Sequence, residues 1–78
     1  MARLKSLTLK LRWSEETGTW VVQIPELFNL GTYGDTPEEA LEQTKDFLRG
    51  YLNVAERHHM KLPLTRAEIR EIRAAIAA

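Results

Sequence analysis

Ile24-Pro25-Glu26-Leu27-Phe28-Asn29-Leu30-Gly31-Thr32-Tyr33-Gly34-Asp35-Thr36-Pro37-Glu38-Glu39-Ala40-Leu41 decides how this chain folds. Pro25 lacks a ladder donor and so closes whatever strand precedes it. Glu26 to Asn29 then turn the chain. Leu30 to Tyr33 is long enough for one short strand, and Gly34-Asp35 breaks it. Thr36 is placed to cap a helix, Pro37 suits its first position, and Glu39 sits where a capping box requires it. Glu38 and Glu39 also lie at the positive end of that helix's dipole.

Upstream of this stretch, Leu7, Leu9, Leu11 and Trp13 alternate with Ser6, Thr8, Lys10 and Arg12. Trp20, Val22 and Ile24 alternate with Val21 and Gln23. Period-two patterns around a Gly-containing loop, Ser14 to Gly18, predict a hairpin. Pairing Trp13 with Trp20, Leu11 with Val22 and Leu9 with Ile24 puts all six side chains on one face. A slip of one residue would set apolar against polar, so the pattern specifies the register. The opposite face carries Thr8, Lys10, Arg12, Val21 and Gln23.

Downstream, the helix runs from Pro37 to about Arg57. At about 100° per residue, Ala40, Leu41, Thr44, Phe47, Leu48, Tyr51, Leu52, Val54 and Ala55 form one broad stripe, the mark of a helix lying on a sheet. Gly50 sits away from the stripe, for no reason the sequence supplies. Leu62-Pro63-Leu64 looks extended and is the place for a short fourth strand. Thr65 with Glu68 starts a final helix over Arg66 to about Ala77. Its Ile69, Ile72 and Ile76 are either an intramolecular clasp or a dimer seam.

The expected fold is α+β: a three-stranded antiparallel sheet covered on one face by a long helix, with a short C-terminal helix. Residues 1–64 form the β-β-β-α domain and 65–78 a helical tail.

The chain has 78 residues, no cysteine, and 11 Lys and Arg against 11 Asp and Glu. A core this small is marginal alone and no disulfide can add to it, so a homo-oligomer is the default expectation. Zero net charge argues against a dedicated nucleic-acid binder. Neither a membrane-spanning run nor a secretory signal is legible, which makes the cytoplasm the simplest location.

Chemistry is hard to find. His58-His59 points in two directions with no further ligand, and reads as a helix end beside carbonyl dipoles. Glu38-Glu39 reads as an ordinary first turn. Gly31, Gly34 and Asp35 lack the spacing and the Lys of a phosphate loop. No enzyme activity, cofactor or metal is expected. Trp13 and Trp20 could stack bases, but the register turns them toward the helix. Lys10 and Arg12, beside Val21, are either solvated charge or a contact for a partner.

The quoted stretch resembles the N-terminal domain of the antitoxin HicB family, whose members carry V-P-D-L-P-G-C-x-T-x-G-D-T-x-E-E-A-L. It aligns without a gap, and Pro25, Leu27, Thr32, Gly34, Asp35, Thr36, Glu38, Glu39, Ala40 and Leu41 agree. Glu16, Gly18 and Trp20 to Val22 resemble the family's hairpin. Phe28-Asn29-Leu30 replaces P-G-C, and Asn29 can stand in for the glycine because Asn tolerates left-handed backbone angles. Many members continue into a DNA-binding segment of at least two helices, whereas Pro63 is followed here by length for one, so no autonomous DNA binding is expected.

The resemblance implies an antitoxin, or a protein derived from one, that covers a small RNA-cleaving HicA-like toxin. Lys10, Arg12, Val21, Gln23 and Phe28 are the expected partner contacts, with Ile69, Ile72 and Ile76 as the oligomerisation residues if the seam is real. The alternatives are a nucleic-acid module using the basic strand face, or a stand-alone homo-oligomeric interaction domain.

Overall fold

The computed structural model describes residues 2–77; Met1 and Ala78, the outer limits of the expected domain and tail, lie outside them. The elements run β1 (Ala2–Leu4), β2 (Leu7–Ser14), β3 (Thr19–Ile24), a 3₁₀ turn (Pro25–Leu27), β4 (Leu30–Gly34), α1 (Pro37–Arg57) and α2 (Arg66–Ala77). The strands form a four-stranded antiparallel sheet in the order β1-β2-β3-β4. The arrangement is α+β, with both helices on one face.

The hairpin holds the register that alternation dictates: Trp13 opposite Trp20 and Leu11 opposite Val22. The Trp rings meet edge to face at 5.6 Å. β4 continues the pattern, setting Leu30, Thr32 and Gly34 against Ile24, Val22 and Trp20. Leu7, Leu9, Val22, Ile24 and Leu27 are buried beneath Ala40, Leu48 and Leu52 of α1 and Ile72 and Ile76 of α2. Burial of apolar side chains on this scale, at about 1.5–3 kcal/mol each, is what holds the helices to the sheet.

The fourth strand lies at the N-terminus, not near Leu62. Ala2–Leu4 folds back on Leu7–Leu9 through a two-residue turn at Lys5-Ser6, with Lys5 at φ 57°. Nothing local announces that turn, since neither residue is a usual left-handed former. Leu62 and Leu64 instead pack, half-buried, against the core. Val54 also departs from expectation: it is 49% exposed, at the margin of the apolar stripe of α1.

Helix starts follow the sequence. The Thr36 hydroxyl accepts the Glu39 N–H at 3.0 Å, although the Glu39 carboxylate returns no bond. At α2 the box closes both ways: Glu68 N–H donates to the Thr65 hydroxyl at 3.1 Å, and Thr65 N–H to the Glu68 carboxylate at 2.8 Å. The Thr65 N–H first, and the Thr65 hydroxyl beside it, hold the Glu68 carboxyl below its ordinary value.

α1 ends with Met60 N–H on Ala55 O and His59 N–H on Glu56 O, while His59 adopts φ 53°. That is a Schellman stop with histidine in the place glycine usually takes. None of the helices is long and apolar enough to cross a membrane, among the described residues.

Because Ile72 and Ile76 are buried with the sheet and α1, the break at 64/65 is a change of element and not an edge of the core. Of the two readings of Ile69, Ile72 and Ile76, the structure is the clasp. Ile72 is fully buried, Ile76 is 5% exposed and Ile69 is half-buried against the same core.

Candidate protein-partner interface

Both helices lie on the face of Leu9 and Val22, so the opposite face of the sheet is open among the described residues. Alternation sends one residue in two to that face. Register then sorts them into cross-strand rows. Arg12, Val21 and Tyr33 form one row, and Lys10, Gln23 and Gly31 the next. Val21 and Gln23 are half-buried; Lys10, Arg12 and Tyr33 are exposed. Four of the five expected contact residues therefore share one surface. A shallow groove of about 560 Å³ runs along it, lined by Val21, Gln23, Asn29, Gly31 and Tyr33 among others.

Phe28, the fifth, stands apart at the end of the β3–β4 connection. It is 70% exposed at φ 58°, and Asn29 follows at the same φ. A left-handed conformation costs a non-glycine residue about 1–2 kcal/mol. Asn29 takes the angle its side chain tolerates, as expected. Phe28 takes it too, which a proline in that place could not do, since its ring locks φ near −65°.

The connection is anchored from below by Glu26. Pro25 ends β3, which leaves the backbone of β2 without a strand beside Thr8. Glu26 fills the gap with its side chain: Oε1 accepts the Thr8 N–H at 2.9 Å and Oε2 the Thr8 hydroxyl at 2.8 Å. Burial alone would push this carboxyl up; the Thr8 N–H and hydroxyl, its own N–H and the nearby Arg3 outweigh it and hold it below its ordinary value.

β4 is tied to α1 by threonine hydroxyls. Thr44 is fully buried and donates to Ala40 O at 2.8 Å, while Thr32 lies 2.8 Å from the Thr44 hydroxyl and 3.2 Å from Ala40 O. Gly34 comes so close to α1 that a Cβ would sit 2.5 Å from Ala40 N, so only glycine fits there.

Charge is segregated around the open face. Lys10 and Arg12 form no ion pair among the described residues; the pairs present join Glu42 to Lys45, Asp46 to Arg49 and Glu56 to Arg73 on the helices. Glu15 and Glu16, in the β2–β3 loop, and Asp35, after β4, are exposed at the end of the sheet where Trp20 meets Gly34. Trp13, 46% exposed, stands there too.

Tyr33 is the surface residue that reading of the sequence passed over. Its signal was available: it alternates with Thr32 and Gly34, which face the helix. Glu26 and Thr8, 18 residues apart, gave no local sign of their bond.

No protein-family model and no solved structure matches the chain. It is similar to UPF0150 protein Ta0767 of Thermoplasma acidophilum, with 37% identity over 54 residues, a match that covers 69% of this chain and 78% of that protein. A match of this extent means that the chain belongs to the UPF0150 family.

Proposed function

We propose that this protein is a HicB-like antitoxin, or derives from one, and acts by covering a small RNA-cleaving toxin of the HicA-like kind. The observation that carries the reading is the open sheet face, where Lys10, Arg12, Val21, Gln23 and Tyr33 present mixed polar and apolar side chains on rigid strands. Such a surface can occlude without reacting. Strands hold contact groups more precisely than loops do, and the groups here are the Arg and aromatic types that anchor interfaces. A toxin that handles RNA is itself expected to be basic. Glu15, Glu16 and Asp35, at one end of the same sheet, offer it acidic contacts, and Phe28 offers an apolar one at the other.

Co-purification tests this directly. The tagged chain is expressed with the small basic protein encoded beside its gene. A stable complex and relief of growth arrest are expected, with Arg12→Glu weakening the complex about tenfold or more, the scale of an interface anchor. No complex and no relief would sink the reading.

One feature favours a second reading. Tyr33 lies in one row with Arg12, with Val21 between them and Lys10 in the next row, so an aromatic ring and two cations share one face. That is the chemistry by which sheets bind single-stranded nucleic acid, stacking bases and neutralising phosphates. A fluorescent single-stranded RNA whose anisotropy rises with protein, and falls back with added salt, would support it.

A further inference from the structure

The two edges of this sheet are unlike. The β1 edge is three residues long and guarded by Arg3 and the adjoining Lys5. β4, at the other edge, has five residues with no charge and no proline. It pairs only with β3 among the described residues. Soluble proteins rarely leave an uncharged edge unpaired, because its free N–H and C=O groups template another strand.

Which backbone groups are free follows from the ladder. Thr8 N–H points to the β3 side, where Glu26 receives it. Alternation makes Lys10 and Arg12 point the same way, toward Gln23 and Val21. Trp20, Val22 and Ile24 therefore turn to β4, and their partners Gly34, Thr32 and Leu30 turn back to them. Gly31 and Tyr33 are left with N–H and C=O facing outward.

We propose that two copies of this chain pair antiparallel along β4, about a twofold axis at Thr32. The strand is complementary to its own reverse. Tyr33 falls opposite the partner's Gly31, on the open face, so an exposed ring covers a position with no side chain. Aromatic cover of an edge glycine is a recognised stabiliser of strand pairs. Leu30 falls opposite the partner's Gly34 on the helix face, and Thr32 opposite the partner's Thr32, a favourable cross-strand pair. The exposed ring of Tyr33 meets a glycine and Thr32 meets its own kind, which an unrelated partner strand would not require; Gly34 is already covered by α1 of its own chain.

The helices agree. Leu41 and Lys45 line the groove beside Arg3 and Leu4, so the opposite flank of α1 overhangs β4. That flank carries the stacked, half-buried pair Phe47 and Tyr51, with centroids 5.5 Å apart. The twofold adds apolar contact above the joined edges. It also makes one continuous sheet whose open face presents Arg12, Val21 and Tyr33 twice.

Analytical ultracentrifugation and chemical cross-linking test the proposal on the full chain, and neither depends on which partner the open face binds. Wild type is expected at twice the 9.0 kDa chain mass. Tyr33→Lys changes a side chain 69% exposed, so it should keep the far-UV circular dichroism of wild type while falling to one chain mass. Thr32→Cys introduces the sole cysteine. Facing residues of a non-hydrogen-bonded antiparallel pair have Cα atoms about 4.5 Å apart, within disulfide reach. Mild oxidation should therefore convert that variant to a covalent dimer. A monomeric wild type overturns the proposal, as does a dimer that Tyr33→Lys leaves intact or that Thr32→Cys fails to cross-link.

Discussion

Single residues in this protein are set by neighbours far away in the chain, and three of them make the point. Thr44 lies in the apolar stripe of α1, yet its hydroxyl is fully buried without penalty because Ala40 O and Thr32 take it up. The two hydroxyl protons cannot serve all three close contacts at once, so the cluster holds one or other arrangement of two bonds. Phe28 is held left-handed because Leu27, fully buried beside it, and β4 after it fix both ends of the turn. Gly50 shows the opposite case. A Cβ added to it meets nothing within 4 Å, and no contact inside the chain calls for glycine. Gly50→Ala should therefore stabilise the fold by about 1 kcal/mol, the difference in helix propensity. For a domain of this size that raises Tm by about 4–8 °C, read by thermal circular dichroism.

At the scale of elements, most boundaries are local chemistry and the exceptions are cross-chain. Pro25 stops β3, and Thr36 and Thr65 start the helices, all as propensity and capping demand. The gap that Pro25 opens beside β2 is closed by the Glu26 carboxylate, which makes the β2–β3 junction sensitive to acid. Glu26 has a folded-state pKa below its ordinary 4.5. Its bonds to Thr8 are therefore fully stabilising above that value, and the contribution fades as pH falls through the folded pKa. Urea midpoints measured between about pH 3 and 7 should show this loss in wild type. In Glu26→Gln, which has no charge to lose, that part of the curve should be flat, with the variant less stable than wild type at neutral pH and equal to it in acid.

The capped helices, the hairpin register and the helix-facing strand residues were legible because each rests on contacts within one element or between consecutive ones. β1 was not, since three residues carry too little pattern and the Lys5-Ser6 turn has no signature. The open face was legible in part: Lys10, Arg12, Val21 and Gln23 followed from the hairpin alone. Tyr33 joined them only when β4 paired with β3. Phe28 was legible as a departure from the HicB-like pattern, but its left-handed backbone and exposure belong to the folded turn.

The whole molecule, 36 × 23 × 17 Å, has one core to which α2 is integral. The Arg49 guanidinium donates to Ile76 O at 3.2 Å, and Arg73 donates to Asn53 at 3.0 Å and Glu56 at 2.7 Å, so the helices are joined through the C-terminal half of α2. Those exposed pairs contribute little each; the buried isoleucines do the holding. Ile72→Ala should cost about 2–5 kcal/mol, a large share of a small domain's stability. The test of integration is that fluorescence of the Trp13–Trp20 pair, across the molecule, and helix circular dichroism fall together, by more than about 8 °C. An independent tail would lose helix signal and leave the Trp signal in place.

By itself the sequence determined the hairpin and its register, the extent of both helices and the residues of the open face contributed by β2 and β3. Period and capping are properties of neighbouring residues and need no tertiary partner. Only the folded chain decided that Ala2–Leu4 completes the sheet, that Ile72 and Ile76 close the core, and that Tyr33 joins Arg12. It also decided that β4 stands at an unguarded edge. Each of these depends on which surfaces meet when loops close, and that is settled by the burial of the whole core.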